Sequence, residues 1–566
     1  MMRPLLLFAA ALSLSAQPAI RTQLQNGVLR ATVLHASGDP VTDESPAQPG
    51  ELLTLLGANF TADAQILVAG TPADTIAMDD ATAQFTLPAN AGGSFVEIGI
   101  ADSTGAGNAA TIPAATPADG IQLAAAEVQS LALAAALAAE GPNLAVVVVD
   151  RAGNVLTVYR RPAATDAVVE KALSLARTGA FFSNQNTPLS SRTVRAISRP
   201  NFPEGIPNQP SGDLFGIENT NRGCNFNVTY LPGQYFPRTL AADGVGYSGG
   251  IATVPGGLAL FRNGATVIGG IGVSGLDSDA QNENAAAAAA QSAGLFVQLP
   301  LPDPGGVYVG GFLLPFVSPA ATRPAAAPGG AFTVAPRYGA PAPEGWLVGP
   351  IAGSALSLSD VTAIVQNAIR QAELTRAAIR LPAGTRARMV ISVADTDGTI
   401  LAIYRMADST IFSIDVALTK ARNVVYFSGP NRDARDLPGI PAGTAVTNRT
   451  IGFAAQPYYP SGIWNSLPGP FAALLASDLA NPCTQGHQPA NPNQSGVVFF
   501  PGSAPLYRNG QLIGGLGVSG DGVDQDDFVT ARGAQGFEPP AALRADQLSI
   551  RAVRLPYWKF PRNPEQ

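Results

Sequence analysis

The chain has 566 residues, of which only 13% are charged, and a formal net charge of −7. That length exceeds what one hydrophobic core supports, so several domains are expected, and an acidic balance without a Lys/Arg cluster excludes a nucleic-acid footprint. The 60 glycines and 48 prolines point to many turns and long loops rather than a helical bundle.

Residues 1–17 have the pattern of an export signal. Met1-Met2-Arg3 is a positive start, Leu5–Leu14 is apolar, and Ser13–Ala16 are small residues suited to cleavage near Ala16 or Gln17. The apolar stretch is too short to span a bilayer, and no later run reaches the roughly 18 residues a membrane helix needs. The expectation is a secreted or periplasmic protein with no membrane span. Residues 24–115 read as short strands separated by Gly, Pro, Asp and Asn, the pattern of an all-β sandwich. The run Pro49–Phe60 (PGELLTLLGANF) and the strand Ala83–Pro88 (AQFTLP) resemble an immunoglobulin-like domain of the IPT/TIG type, in the form seen in secreted acidobacterial proteins.

From residue 121 a pattern begins that occurs twice. Ile121–Glu140 is Ala/Leu-rich and helical in character, Asn143–Asp150 and Val155–Tyr159 are strands around a turn, and Asp166–Phe182 is a second helix with small packing positions. Leu358–Ile379, Met389–Asp395, Ile400–Tyr404 and Ile411–Phe427 repeat this order. Asp150, Gly153, Tyr159, Arg160, Arg177 and Ser183 recur as Asp395, Gly398, Tyr404, Arg405, Arg422 and Ser428 at a constant offset, which is an internal duplication. Each copy then carries a long insertion, 184–249 and 429–495, rich in Pro, Gly, Asn and aromatics; the two align poorly with each other. A hairpin follows each. Leu260–Gly275 (LFRNGATVIGGIGVSG) and Leu506–Gly520 (LYRNGQLIGGLGVSG) place Asn-Gly at the turn, which suits positive φ at both central residues. Along the second strand, Gly270 and Gly272, and Gly515 and Gly517, leave one face almost bare. Such a face receives a closely packed backbone or a flat ligand. The domains expected are therefore 24–115, 121–296, a Pro/Gly-rich linker 297–355, and 356–566.

The repeated unit resembles the GlcG/HbpS family of haem-associated domains. The resemblance rests on the VVVVDRAGNVLTVYR hairpin (146–160), the alanine-lined helices ending at Phe182 and Phe427, IGGIGVSG (268–275), and GDGVDQDD (520–527). It covers 121–296 and 356–545 apart from the insertions. It implies an α+β fold, an antiparallel sheet flanked by helices in each copy, with the copies paired within the chain about a pseudo-two-fold axis. It also implies haem or a related small molecule as ligand.

Several residues are candidates for holding such a ligand. Tyr159-Arg160 and Tyr404-Arg405 end their strands with an aromatic and a cation, suited to stacking and to a carboxylate, or else to a solvent-facing strand edge. The four glycines offer either a ligand surface or a helix seat. Haem iron takes His, Cys, Met or Tyr as axial ligand, yet the first copy has no histidine and the second has only His487. The acidic run Asp521–Asp527 suits helix capping better than calcium, since it lacks EF-hand spacing. No nucleophile triad, zinc motif or phosphate loop is present, so a binding protein leads over an enzyme acting on haem or an oxidised small molecule, and over an adhesive protein without ligand. Cys224 and Cys483, one per insertion, are expected either to bridge the copies or to be buried separately.

Overall fold

The computed structural model describes residues 17–564 apart from 26–27, 43–44, 49, 69–70, 89–94, 104, 115–121, 204–205, 207–208, 225, 229–249, 298–305, 310–311, 319–320 and 464. The export signal thus lies, save for its last residue, outside the described residues, as does much of the first insertion.

The N-terminal region is all β. One sheet contains Leu52–Ala58 and Thr82–Thr86, and a second contains Gln65–Val68, Phe95–Asp102 and Gly105–Pro113. Alternating residues of the two, among them Leu53, Leu55, Phe85, Ile66, Ile98 and Ile112, form one buried apolar cluster. Alternation in the sequence produces this, because successive side chains leave a strand on opposite faces.

Each copy is a five-stranded antiparallel sheet with helices against it. In the first, the order is Gly257–Arg262, Thr266–Ser274, Ala145–Asp150, Val155–Arg160 and Ala331–Val334. The second reads Gly345–Val348, Ile400–Arg405, Val390–Ala394, Gln511–Ser519 and Ser503–Arg508. The register agrees between copies: Val147 faces Gly272, and Ser392 faces Gly517. The Asn-Gly turns take the expected conformation, with φ of 51° and 68° at Asn263 and Gly264 and of 52° and 77° at Asn509 and Gly510.

Nine α-helices occur among the described residues. The first copy has α1 (Ala125–Ala138), α2 (Asp166–Phe182), α3 (Ser191–Ser198) and α4 (Asp279–Ser292). The second has α5 (Leu358–Leu374), α6 (Phe412–Phe427), α7 (Asn448–Ala455), α8 (Ala472–Ala480) and α9 (Val523–Gly533). α5 begins with the expected capping box of Ser357 and Asp360, but stops at Leu374, short of Ile379.

The stretch read as a linker is structural. Its Ala331–Val334 and Gly345–Val348 form the outer strand of the first and second sheets respectively, with Phe332 edge-on to Tyr159 and Trp346 edge-on to Tyr404. The insertions also prove to be repeats. α3 and α7 are each capped by a hydroxyl residue, Ser190 and Thr447. The two caps then donate to the backbone of corresponding straps, Ser190 Oγ to Phe316 O and Thr447 Oγ1 to Tyr557 O. Beneath each strap sits the same trio: Arg192 with Glu283, which accepts from Ser318 N, and Arg449 with Asp527, which accepts from Lys559 N.

The copies share a core. Phe182 at the end of α2 stacks on Phe412 at the start of α6, with ring centroids 4.2 Å apart and planes 8° from parallel. Ile411 N donates to Phe181 O beside them. The contact is head to tail, because Phe427, the counterpart of Phe182, lies in a different cluster with Leu437 and Val446. Cys224 and Cys483 form a disulfide between the insertions, with Cα atoms 5.3 Å apart. Next to it, Arg222 donates to both carboxylate oxygens of the buried Asp478, at 2.9 and 3.0 Å.

Candidate functional site

The glycine face is filled by a helix. A Cβ on Gly272 would lie 2.0 Å from Ala172 O, and one on Gly270 2.2 Å from Ala176 O, both in α2. Gly517 and Gly515 stand at 2.0 and 2.3 Å from Ala417 O and Ala421 O of α6. Separations this short admit only glycine. These four residues are therefore seats for helix backbone and line no ligand surface.

The Tyr-Arg pairs are likewise internal fittings. Tyr159 is buried and its hydroxyl accepts from Gly330 N, while Arg160 pairs with Asp166 at 2.7 Å. Tyr404 is buried and donates to Glu97 Oε2 of the N-terminal region at 3.2 Å. Arg405 spends its guanidinium on Ser409 O and Pro343 O. None of the four lines either cavity described below. His487 rests its Nδ1 2.6 Å from Asp436 Oδ1 and is 39% exposed.

A largely apolar cavity lies elsewhere, between the first insertion and the second copy, with a volume of about 320 Å³. The first insertion contributes Leu189, Ile197 and Phe202; the second copy contributes Ile379, Phe412 and Phe500. Its floor is the segment Ser519–Asp526 that follows the Gly-rich strand. The stacked pair of Phe182 and Phe412 fixes the wall where the copies meet.

Two carboxylates line this apolar space, Asp213 from the first insertion and Asp526 from α9. Asp526, on α9, is 3% exposed, accepts from Lys420 Nζ at 3.0 Å through Oδ2, and has no partner for Oδ1 among the described residues. Lys420 is buried on α6, also donates to Val518 O at 2.8 Å, and lies 5.0 Å from the centroid of Phe500. Burial pushes the Asp526 carboxyl up to about 7, against the pull of Lys420. Burial also lowers the Lys420 ammonium from its ordinary value, with Asp526 opposing. A buried carboxylate oxygen left unsatisfied is costly, and a ligand that donates a hydrogen bond removes the cost.

The acidic run is neither a calcium loop nor a helix cap. No group of three or more metal-ligating side chains exists among the described residues, and α9 has no side-chain cap. Its carboxylates pair with cations instead: Asp521 with Arg380, Asp526 with Lys420, and Asp527 with Arg449. Local spacing carries no signal for this, because the cations come from α6, α7 and a loop far along the chain.

Among curated proteins, the chain is 28% identical over 154 residues to the corrinoid adenosyltransferase PduO of Salmonella typhimurium, covering 27% of this chain and 33% of that protein. It is 27% identical over 141 residues to an uncharacterised 15.0 kDa protein of Citrobacter freundii, covering 25% and 70%. The match thus spans about a third of the length of the adenosyltransferase. Solved structures resembling it include the Klebsiella pneumoniae protein ORFY, at 19% identity and a TM-score of 0.21 over 32% of this chain and 88% of that one. A PduOC–haem complex is 22% identical, with a TM-score of 0.21 over 32% and 95%. The family model described as haem degrading protein HbpS-like matches residues 121–291 and 356–535. Both copies, and with them more than half of the chain, are thereby accounted for, and the chain belongs to the HbpS-like family.

Proposed function

We propose that this is an exported binding protein that holds haem or a related small molecule in the cavity between its two copies. The observation that carries the reading is the apolar cavity lined by Asp526, whose Oδ1 has no partner among the described residues. Its volume is towards the lower end of the roughly 300–1,000 Å³ of small-molecule sites. Membership of the HbpS-like family, and the haem bound by the PduOC relative, support a tetrapyrrole ligand class. Export is supported by the N-terminal signal pattern and by the disulfide, a bond that persists in oxidising compartments. The alternating strands and the two-sheet core support an immunoglobulin-like N-terminal module.

Iron is a poor match for the lining. Among the described residues no His, Cys, Met or Tyr faces the cavity, and both cysteines are consumed in the disulfide. The lining fits the flat apolar body of a ligand with a hydrogen-bond donor at its edge, not an axially ligated metal. The expectation is that haemin and metal-free protoporphyrin bind with similar affinity, seen as red-shifted absorbance with one and as quenched protein fluorescence with both. Absence of binding by either would sink the reading. Binding of haemin alone would show iron ligation outside this cavity, and progressive loss of the haem band with a reductant present would make the protein an enzyme.

A further inference from the structure

A second cavity, of about 360 Å³, lies on the opposite end of α6, and the described residues that line it all belong to the second copy. Its walls are the hairpin turn Thr396–Gly398, the end of α6 with Arg422 and Tyr426, the segment Gly429–Arg432, and Gln485, Gln488 and Asn493 from the insertion. We propose that it is a binding site for a small free carboxylate, held by the guanidinium groups of Arg422 and Arg432. The site is separate from the cavity between the copies, and nothing in this inference depends on what binds there.

The two arginines are built into the wall. Arg422 is 1% exposed and Arg432 is 5% exposed. Each uses part of its fork on backbone carbonyls: Arg422 donates to Gly398 O at 2.9 Å and Phe226 O at 2.7 Å, and Arg432 to Asp433 O at 3.1 Å and Ile440 O at 2.7 Å. These bonds fix the planes but bring no negative charge. Arg422 Nη1 and Arg432 Nε are buried with no partner among the described residues. Elsewhere the buried cations Arg222, Arg380, Arg388 and Lys420 each meet a carboxylate. Here the nearby carboxylates are engaged already. Asp436 accepts from the Tyr426 hydroxyl and from His487, and Asp397 accepts from Thr399 within its own turn. Burial lowers the Arg422 guanidinium to about 10, so it stays cationic at neutral pH and gains from an anion.

The occupant's class follows from this balance. Two planar guanidinium groups with amide side chains around them match the flat, two-oxygen face of a carboxylate. Asp397 and Asp436 close by disfavour a phosphate dianion. Val425, Pro430, Pro489 and Leu512 add apolar wall for a short carbon chain. In the first copy the stretch between Ser183 and the α3 cap is about a dozen residues shorter than that between Ser428 and the α7 cap, so it has a counterpart for Arg422 in Arg177 but none for Arg432. One site per chain is expected.

Titration calorimetry on the intact, disulfide-bonded chain tests this with succinate, acetate and inorganic phosphate as probes. Succinate should bind at one site per chain, acetate more weakly, and phosphate weakest. Arg432→Gln should weaken succinate by about tenfold or more while leaving the unliganded melting temperature close to that of the parent. Arg432→Lys, which keeps the charge and loses the fork, should fall between and serves if the glutamine variant does not fold. No heat with either carboxylate, undiminished succinate binding in both variants, or preference for phosphate would each overturn the proposal.

Discussion

In the first copy, Leu175 lies against Gly256 at the entrance to the Gly-rich hairpin; in the second, Lys420 and Asp526 lie against the corresponding Gly502. Position by position, Leu175 and Asn282 have become Lys420 and Asp526, and Leu276 has become Asp521. The strands, their register and the glycine seats beneath the helix are unchanged. The same scaffold thus tolerates an apolar filling in one copy and buried ion pairs in the other. The cavity lies where the ion pairs are, and there the first insertion covers Phe412, Phe500 and Val523 of its neighbour. Backbone geometry is what the copies hold in common, and side-chain chemistry under the strap is where they part.

The strongest way to break this comparison is at the trio the copies share. Arg449 pairs with Asp524 and Asp527, whereas Arg192 pairs with Glu283 alone. Arg449→Met leaves a fully buried carboxylate without its cation, at a cost of about 3–5 kcal/mol. Arg192→Met should cost less, since Arg192 is the more exposed of the two. Urea midpoints of both variants would show the order, and equal small losses would mean that the trio does not hold the strap. Second in size is the bridge between insertions. Reduction, or Cys224→Ala with Cys483→Ala, should lower stability by about 2–4 kcal/mol, as expected for closing so long a loop. The buried pair of Arg222 and Asp478 remains and limits the loss. A midpoint unchanged by reductant would show that this contact alone fixes the insertions.

The glycine seats give a smaller and symmetric effect. Gly272→Ala and Gly517→Ala should each cost about 1–3 kcal/mol through overpacking against helix backbone, with no selective loss of ligand. A variant that keeps its stability and loses ligand would return the glycine face to the binding site.

Much of the architecture is legible in the sequence for a physical reason. A constant offset through Asp150, Gly153 and Tyr159, the Asn-Gly turns, and helices such as Asp166–Phe182 are local patterns, and local patterns survive without knowledge of the fold. The pairing of Cys224 with Cys483 is one of two expectations open in the sequence, and the disulfide decides between them. The site was not legible. Lys420 looks like any helix lysine until the fold buries it, and Asp526 looks like a capping residue until Lys420 lies beneath it. The repeat within the insertions was hidden as well. α3 and α7 are too short to show a period, and the extra segment after Ser428 shifts one against the other. The outer strands Ala331–Val334 and Gly345–Val348 are short and flanked by Pro and Gly, so nothing in them distinguishes a strand from a linker.

The smallest effect on stability is expected from the change that bears most directly on the difference between the copies. Lys420→Leu with Asp526→Asn gives the second copy the residues of the first. Replacing a buried ion pair with groups of similar size is often close to neutral, so the folded state should stay within about 1 kcal/mol of the parent at neutral pH. Ligand binding should fall sharply, because the unsatisfied carboxylate oxygen of Asp526 is gone. The pH dependence gives an independent reading. The Asp526 carboxyl is raised from its ordinary 3.8 to about 7 in the folded chain, chiefly by burial, with Lys420 opposing and Asp527 and Asp521 adding to the rise. A raised carboxyl favours the fold while it holds its proton more tightly than the unfolded chain does. That contribution is whole below 3.8 and is lost as pH rises to about 7. Relative to the double variant, the parent should therefore lose stability across this window, and at higher pH regain some through the lowered Lys420 ammonium. Urea midpoints at a series of pH values would show the convergence or divergence directly. Parallel profiles throughout the window would mean that Asp526 keeps its charge in the folded chain, and that its free oxygen is satisfied by something other than a ligand.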